Sequence, residues 1–296
     1  SGPAAMSAAA SVPASPPERK DPREHVDLPP PPHKSQKFST LNSACVDLET
    51  ACLAKGGRKV DLFMVSFGMR LTRNSQGEVL HFLCNPLADV VGEGPYSAEQ
   101  MRQTLKQCGH HWEKSMKFWA TAWAKSGIVK SHHLPQGWTL MRFRSELPHA
   151  QAGCIARWLN QTPRDLKIYP PRYIIDQMFA FLLKNDCSSL LAHGGRGHDY
   201  HLLHGLSQRH GRGQKWSALT KHDTQTFLAR RFKDCKGCLR QCDLLQALRP
   251  GEFERMRNDL HDSAKDVEAL SLIVTALWDD EDQLTPCGKQ KTKELG

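Results

Sequence analysis

The residues able to do chemistry in this chain fall into three acidic clusters. An apolar lead-in, Ala44-Cys45-Val46, runs into Asp47-Leu48-Glu49-Thr50. A second apolar run, Leu190-Leu191-Ala192, leads through His193 and a glycine-rich stretch to His198-Asp199. The third cluster, His261-Asp262-Ser263-Ala264-Lys265-Asp266, opens a long apolar-striped segment near the end. A carboxylate beside an apolar element is costly to bury alone. Asp47, Glu49, Asp199 and Asp266 become a coherent set if the fold gathers them around cations. Hard divalent ions such as Mg²⁺ and Mn²⁺ take oxygen ligands. Two such ions about 4 Å apart activate water and relieve charge on the leaving oxygen of a phosphodiester. Histidine, whose ordinary pKa lies near neutral, suits a general base, and His261 stands five residues before Asp266.

Each piece also admits a plainer reading. Asp199 could cap the helix that follows it, and Asp262 or Ser263 could cap the last helix, leaving Asp266 solvated. The ordered occurrence of all three clusters, each beside an apolar element, favours the site.

The elements that must position these groups read as α/β. Ser43–Leu48 is a short buried strand, and period-two spacing puts Asp47 and Glu49 on one side of it. Val60–Gly68 and Val79–Cys84, joined through the turn residues Asn74-Ser75-Gln76-Gly77, complete an antiparallel meander. Ser97–Lys125 is mostly helical with a break near Gly109, and Tyr173–Lys184 is an amphipathic helix. Leu190–His193 is a strand feeding the second cluster, followed by a helix over Tyr200–Arg209. Leu239–Cys242 is a further short strand. Ser263–Trp278 is a helix with Val267, Leu270, Val274 and Leu277 on one stripe.

The three clusters together resemble the motifs of the DEDDh 3′→5′ exonucleases, the group that includes the three-prime repair exonucleases and the proofreading subunit of bacterial DNA polymerase III. Asp47-Leu48-Glu49-Thr50 matches the first motif. Ala192-His193-Gly194-Gly195-Arg196-Gly197-His198-Asp199 resembles the second, with Gly194 where the family has Asn and His198 in place of an aromatic residue before the Asp. His261 to Asp266 matches the third in spacing, with Ser263 in the position of its Ala. The resemblance implies an RNase H-like (DEDD exonuclease) fold, a central mixed sheet flanked by helices, with a large helical insertion over 95–171. It also implies that Asp47, Glu49, Asp199 and Asp266 hold two Mg²⁺ or Mn²⁺ ions, that His261 is the base, and that the exonuclease domain spans 39–280. The activity implied is hydrolysis of single-stranded 3′ ends to nucleoside 5′-monophosphates, DNA being favoured slightly over RNA. The rival is a catalytically silent nucleic-acid-binding or scaffold protein on the same fold.

Around this site, Leu48 resembles a wedge against the terminal base, though a core role suits it equally, and Thr50 is a candidate for the terminal 3′-hydroxyl. Arg209, Arg212 and Lys215 open a basic stretch running to Arg240 that suits phosphate tracking. Trp112, Trp119 and Trp123 with Phe118 have the spacing of core packing more than of base stacking. Cys235, Cys238 and Cys242 supply C-x2-C-x3-C, three of the four ligands of a structural Zn²⁺ site. The net charge of +9 and the isoelectric point near 9.1 favour a polyanionic partner such as nucleic acid. No stretch has the length of a membrane span. Ten widely spread cysteines read as reduced thiols of an intracellular protein, nuclear or cytoplasmic. Residues 1–38, rich in Pro, Ala and Ser, read as a disordered tail that could recruit a protein partner, and 281–296 as a flexible C-terminal tail.

Overall fold

A computed structural model describes residues 42–52, 62–73, 77–85, 88, 94–108, 112–161, 166, 168–195, 198–231 and 240–278. The expected tails, 1–38 and 281–296, lie outside these residues. The sheet is built from β1 (Ser43–Cys52), β2 (Leu62–Leu71), β3 (Val79–Cys84), β4 (Ile168–Tyr169), β5 (Ser189–Ala192) and β6 (Thr220–Asp223), in the order β4-β3-β2-β1-β5-β6. β1, β2 and β3 form the antiparallel meander, while β5 joins the other side of β1 in parallel and β6 joins β5 in parallel. Parallel neighbours need crossovers. Two helices provide them, one over Pro171–Lys184 before β5 and one over Asp199–Arg209 between β5 and β6. The sheet is therefore central, mixed and flanked by helices, as expected.

Side-chain alternation on β1 divides the molecule into layers. Ala44, Val46 and Leu48 enter a core with Phe67, Met69, Ile174, Met178 and Leu203, against the two crossover helices. Asp47 and Glu49 point the other way. On that face Asp47 pairs with Gly68, Gly68 with His81, and Glu49 with Ser66.

The final helix, Ser263–Trp278, covers this face, and its first residues fit the row in detail. A Cβ on Gly68 would lie 2.2 Å from the carbonyl oxygen of Ser263, so the helix start rests on bare strand backbone. Ser66 Oγ hydrogen-bonds Ser263 Oγ, and His81 Nε2 lies 3.0 Å from Asp262 Oδ1. Val267, Leu270 and Val274 are fully buried, as their stripe predicts. Leu277 is only partly buried. It packs with Ala269 and Ile273 against helices over Gln241–Leu248 and Pro250–Met256, so this helix is apolar on two sides.

The insertion forms a second core. For reference, α1 is Ala98–Cys108, α2 Trp112–Lys125, α3 Leu140–Glu146, α4 Ala152–Gln161, α5 Pro171–Lys184, α6 Asp199–Arg209, α7 Gly213–Ala218, α8 Thr224–Arg231, α9 Gln241–Leu248, α10 Pro250–Met256 and α11 Ser263–Trp278. Trp119, Trp123, Phe143, Ile155 and Trp158 fill the interior of the insertion, with Trp119 and Trp123 edge to face at 4.7 Å. Phe118 is left exposed. The register of β1 against β2 shifts between Glu49 and Thr50, whose partners are Ser66 and Met64. The carbonyl of the intervening Val65 accepts from Trp123 Nε1–H at 3.1 Å, which ties α2 to the strand beside Glu49.

Some expectations change. β2 runs Leu62–Leu71, three residues beyond the predicted end, because Met69 to Leu71 continue the ladder with β1. Gln241 and Cys242 lie in a helix, not a strand. Leu244 and Leu245 are the residues of α9 that bury, against Met256 and Ile273, and a short apolar run of this kind does not distinguish the two periods. β6, sequence Thr-Lys-His-Asp, is a strand that hydrophobicity did not mark.

Candidate active site

The second cluster reaches the first through a glycine loop. β1 and β5 pair from Ser43–Ser189 to Cys45–Leu191, so the chain leaving Ala192 emerges beside Asp47. Gly194 has φ +71°, a backbone region in which side chains are disfavoured, and its N–H donates to Asp223 Oδ1 at 3.1 Å. A Cβ on Gly195 would meet that of Ala192 at 2.3 Å. The Gly195 carbonyl accepts the Tyr200 N–H at 2.9 Å. The buried Tyr200 hydroxyl sits 3.0 Å from the Leu190 carbonyl and 2.6 Å from that of His222, bridging β5 and β6. Asp199 is thereby fixed as the first residue of α6 and is buried. The cap position belongs to His198, whose side chain makes no capping bond, so capping does not account for Asp199.

The third cluster is organised by Asp262, which is the capping residue there. Its Oδ1 accepts the Ala264 N–H at 3.3 Å, and its carbonyl accepts the N–H groups of Lys265 and Asp266. Asp266 is half-buried rather than solvated. Its carboxylate accepts the backbone N–H of His261 at 3.1 and 3.4 Å. His261 is exposed and has φ +70°. One ring nitrogen of His261 and one carboxylate oxygen each of Glu49 and Asp266 lie within 4.8 Å of one another.

Electrostatics ties the sets together. Burial, then the charges of Asp266, Asp199 and Glu49, hold Asp47 well above the usual carboxylate range. Burial and the charges of Asp266 and Asp262 push Glu49 up to about 8. Asp199 is pushed up to about 7 by burial, Asp223 and Asp266. Asp266 is also raised to about 7 by burial, with the His261 N–H pulling the other way. Carboxylates that raise one another in this way lie near one another and lack enough positive charge to ionise together. All-oxygen donors with an adjacent imidazole fit hard divalent cations.

Other predicted residues are spread out. Leu48 is buried in the core, on the side of β1 away from Asp47 and Glu49. Thr50 is half-buried, just past the register shift. Arg209 closes the helix that Asp199 opens, and the eleven residues of α6 span roughly 16 Å. Arg209 and Lys215 are exposed, whereas Arg212 is half-buried and its Nε donates to Asp176 Oδ1 at 2.8 Å. Cys235 and Cys238 lie outside the described residues, and Cys242 is a free, half-buried thiol in α9.

Sequence reasoning missed Asp223, Asp262 as an organiser, His81, Ser66 and Lys125. Lys125, in the last turn of α2, lowers the proton affinity of both Glu49 and Asp266. Asp223, just before α8, carried a recognisable signal as a cap and accepts the Thr226 N–H at 3.2 Å. The others are brought in by sheet register and by docking of the insertion, which spacing along the chain does not encode.

No family model matches the chain, and no curated protein does. Among solved structures, the chain is similar to the zinc-ion-bound form of the E. coli ExoI–ssDNA complex, with a TM-score of 0.38 and 13% identity over 81% of this chain. The match spans 40% of that chain. No described helix is long and apolar enough to cross a membrane.

Proposed function

We propose that this chain is a metal-dependent 3′→5′ exonuclease acting on single-stranded nucleic-acid ends, with DNA slightly favoured, and releasing nucleoside 5′-monophosphates. What supports the reading is the electrostatic coupling of Asp47, Glu49, Asp199 and Asp266, each held above the usual carboxylate range, together with the approach of Glu49, Asp266 and the exposed His261 to within 4.8 Å of one another. A binding module for a polyanion has no use for such a concentration of like charge.

Asp47, Glu49, Asp199 and Asp266 would hold two Mg²⁺ or Mn²⁺ ions. When bound, such ions supply water activation and charge relief at the leaving 3′-oxygen. His261 takes the proton of the attacking water on a ring nitrogen; its exposed side chain gives water access. Asp266 keeps that histidine in place through its backbone N–H. Asp223 and the two glycines hold Asp199, while Thr50 stands next to Glu49 where a terminal hydroxyl could be met. Arg209, a helix length from Asp199, serves phosphates well removed from the scissile one. The buried thiols of Cys45 and Cys187, neither in a disulfide, suit a reducing nuclear or cytoplasmic setting.

The test is a product assay on matched DNA and RNA oligonucleotides with Mg²⁺, Mn²⁺ or a chelator. The expected outcome is stepwise loss of nucleoside 5′-monophosphates from the 3′ end, abolished by chelation. Binding that survives chelation with no degradation would establish the scaffold alternative, and preference for RNA would make the enzyme an exoribonuclease.

A further inference from the structure

The Leu260–His261 peptide group is gripped on both edges. Its N–H donates to the Asp266 carboxylate at 3.1 Å, and its carbonyl accepts from Lys125 Nζ at 3.4 Å. These bonds come from different layers. Asp266 belongs to the helix that follows His261, and Lys125 to the insertion, 135 residues earlier in the chain. The gripped peptide leads directly into His261, whose φ of +70° is a conformation that L-residues avoid unless their surroundings impose it.

The support behind Lys125 is rigid. It follows Trp123, which is fully buried against Trp119 and bonded to the Val65 carbonyl. The helix end is closed by Ser126, whose hydroxyl donates to the Trp123 carbonyl at 2.7 Å and accepts the Ile128 N–H at 3.1 Å. The ammonium is thus carried on a platform referenced to β2, the strand paired with the carboxylate strand. We infer that Lys125 is a positioning residue: through the Leu260 carbonyl it holds His261 in the orientation needed to act on water, and this is a task of the helical insertion. The inference rests on the exonuclease reading.

Lys125→Met keeps the stem and removes donor and charge; Lys125→Arg keeps both. Each full-length variant is compared with wild type in steady-state hydrolysis of a single-stranded 3′-labelled oligonucleotide, and in hydrogen exchange of the peptide containing the His261 amide. Lys125→Met is expected to lower kcat by about ten- to a hundredfold, the scale of a small misplacement of a catalytic group, with KM little changed. The His261 amide should exchange faster in that variant, and Lys125→Arg should largely restore both. A raised KM with unchanged kcat would make Lys125 a substrate-phosphate contact and overturn the inference. Equal exchange in Lys125→Met and wild type would overturn it as well. An inactive wild-type chain overturns the exonuclease reading instead, and the exchange comparison then still decides whether Lys125 holds this peptide.

Discussion

Asp199 and Asp47 are held where ionisation is resisted by their neighbours, and this separates their contribution to activity from their contribution to stability. Replacing either by Asn or Ala removes a proposed metal ligand and a source of repulsion together. Hydrolysis should be abolished, while the metal-free protein keeps its fold and its melting temperature stays level or rises. Circular dichroism alongside the product assay checks both, and retained hydrolysis in either variant means the site is misassigned. His261→Ala removes only the proposed proton acceptor. The rate should fall by about 10²–10⁴, the usual worth of a positioned base, with affinity for a 3′-ended strand roughly kept. A wild-type rate removes His261 from the mechanism.

At the scale of elements, the decisive contact is between β2 and the start of α11. Gly68 lies opposite Asp47, and the Ser263 carbonyl occupies the space a side chain would need. Backbone cannot swing aside as a flexible side chain can, so Gly68→Ala must lift the helix start or bend the strand. A stability loss of about 1–3 kcal/mol is expected, the usual cost of overpacking. Activity should fall further than stability predicts, because the displaced segment carries His261 and Asp266. Denaturant unfolding together with kcat at a temperature where the variant is fully folded separates the two effects. Full activity in the folded variant would show that the helix start does not set the geometry of the site.

For the whole molecule, charge acts in opposite senses at long and short range. The chain carries +9 overall, which favours a polyanionic partner, yet Asp47, Glu49, Asp199 and Asp266 concentrate negative charge at the candidate site. Because the pocket carboxylates are raised, to about 7 for Asp199 and Asp266 and about 8 for Glu49, the folded state binds protons that the unfolded chain has released above about pH 4–5. Their contribution to stability is therefore fully present below the unfolded values and is lost as pH rises through 7 to 8. In chelator, the melting temperature should fall from pH 5 to pH 8, and Mn²⁺ should raise it more at pH 8 than at pH 5. Each kcal/mol of relief corresponds to about 2–4 °C for a domain of this size. Scanning calorimetry at the two pH values makes the comparison. A Mn²⁺ effect that is larger at pH 5 would contradict a cation-binding carboxylate pocket.

By itself the sequence determined the order of the clusters, the shared side of Asp47 and Glu49, the meander, and the apolar stripe of the last helix. These follow from local periodicity, which needs no knowledge of distant partners. Other matters were decided only when β5 paired in parallel with β1 and the final helix settled on Gly68. These are the burial of Leu48, the approach of Asp199, the grip on His261 from Lys125, and the helix at Cys242. The physical reason is that sheet register and layer packing join residues more than a hundred positions apart, and their pairing depends on shape and burial that no spacing along the chain expresses.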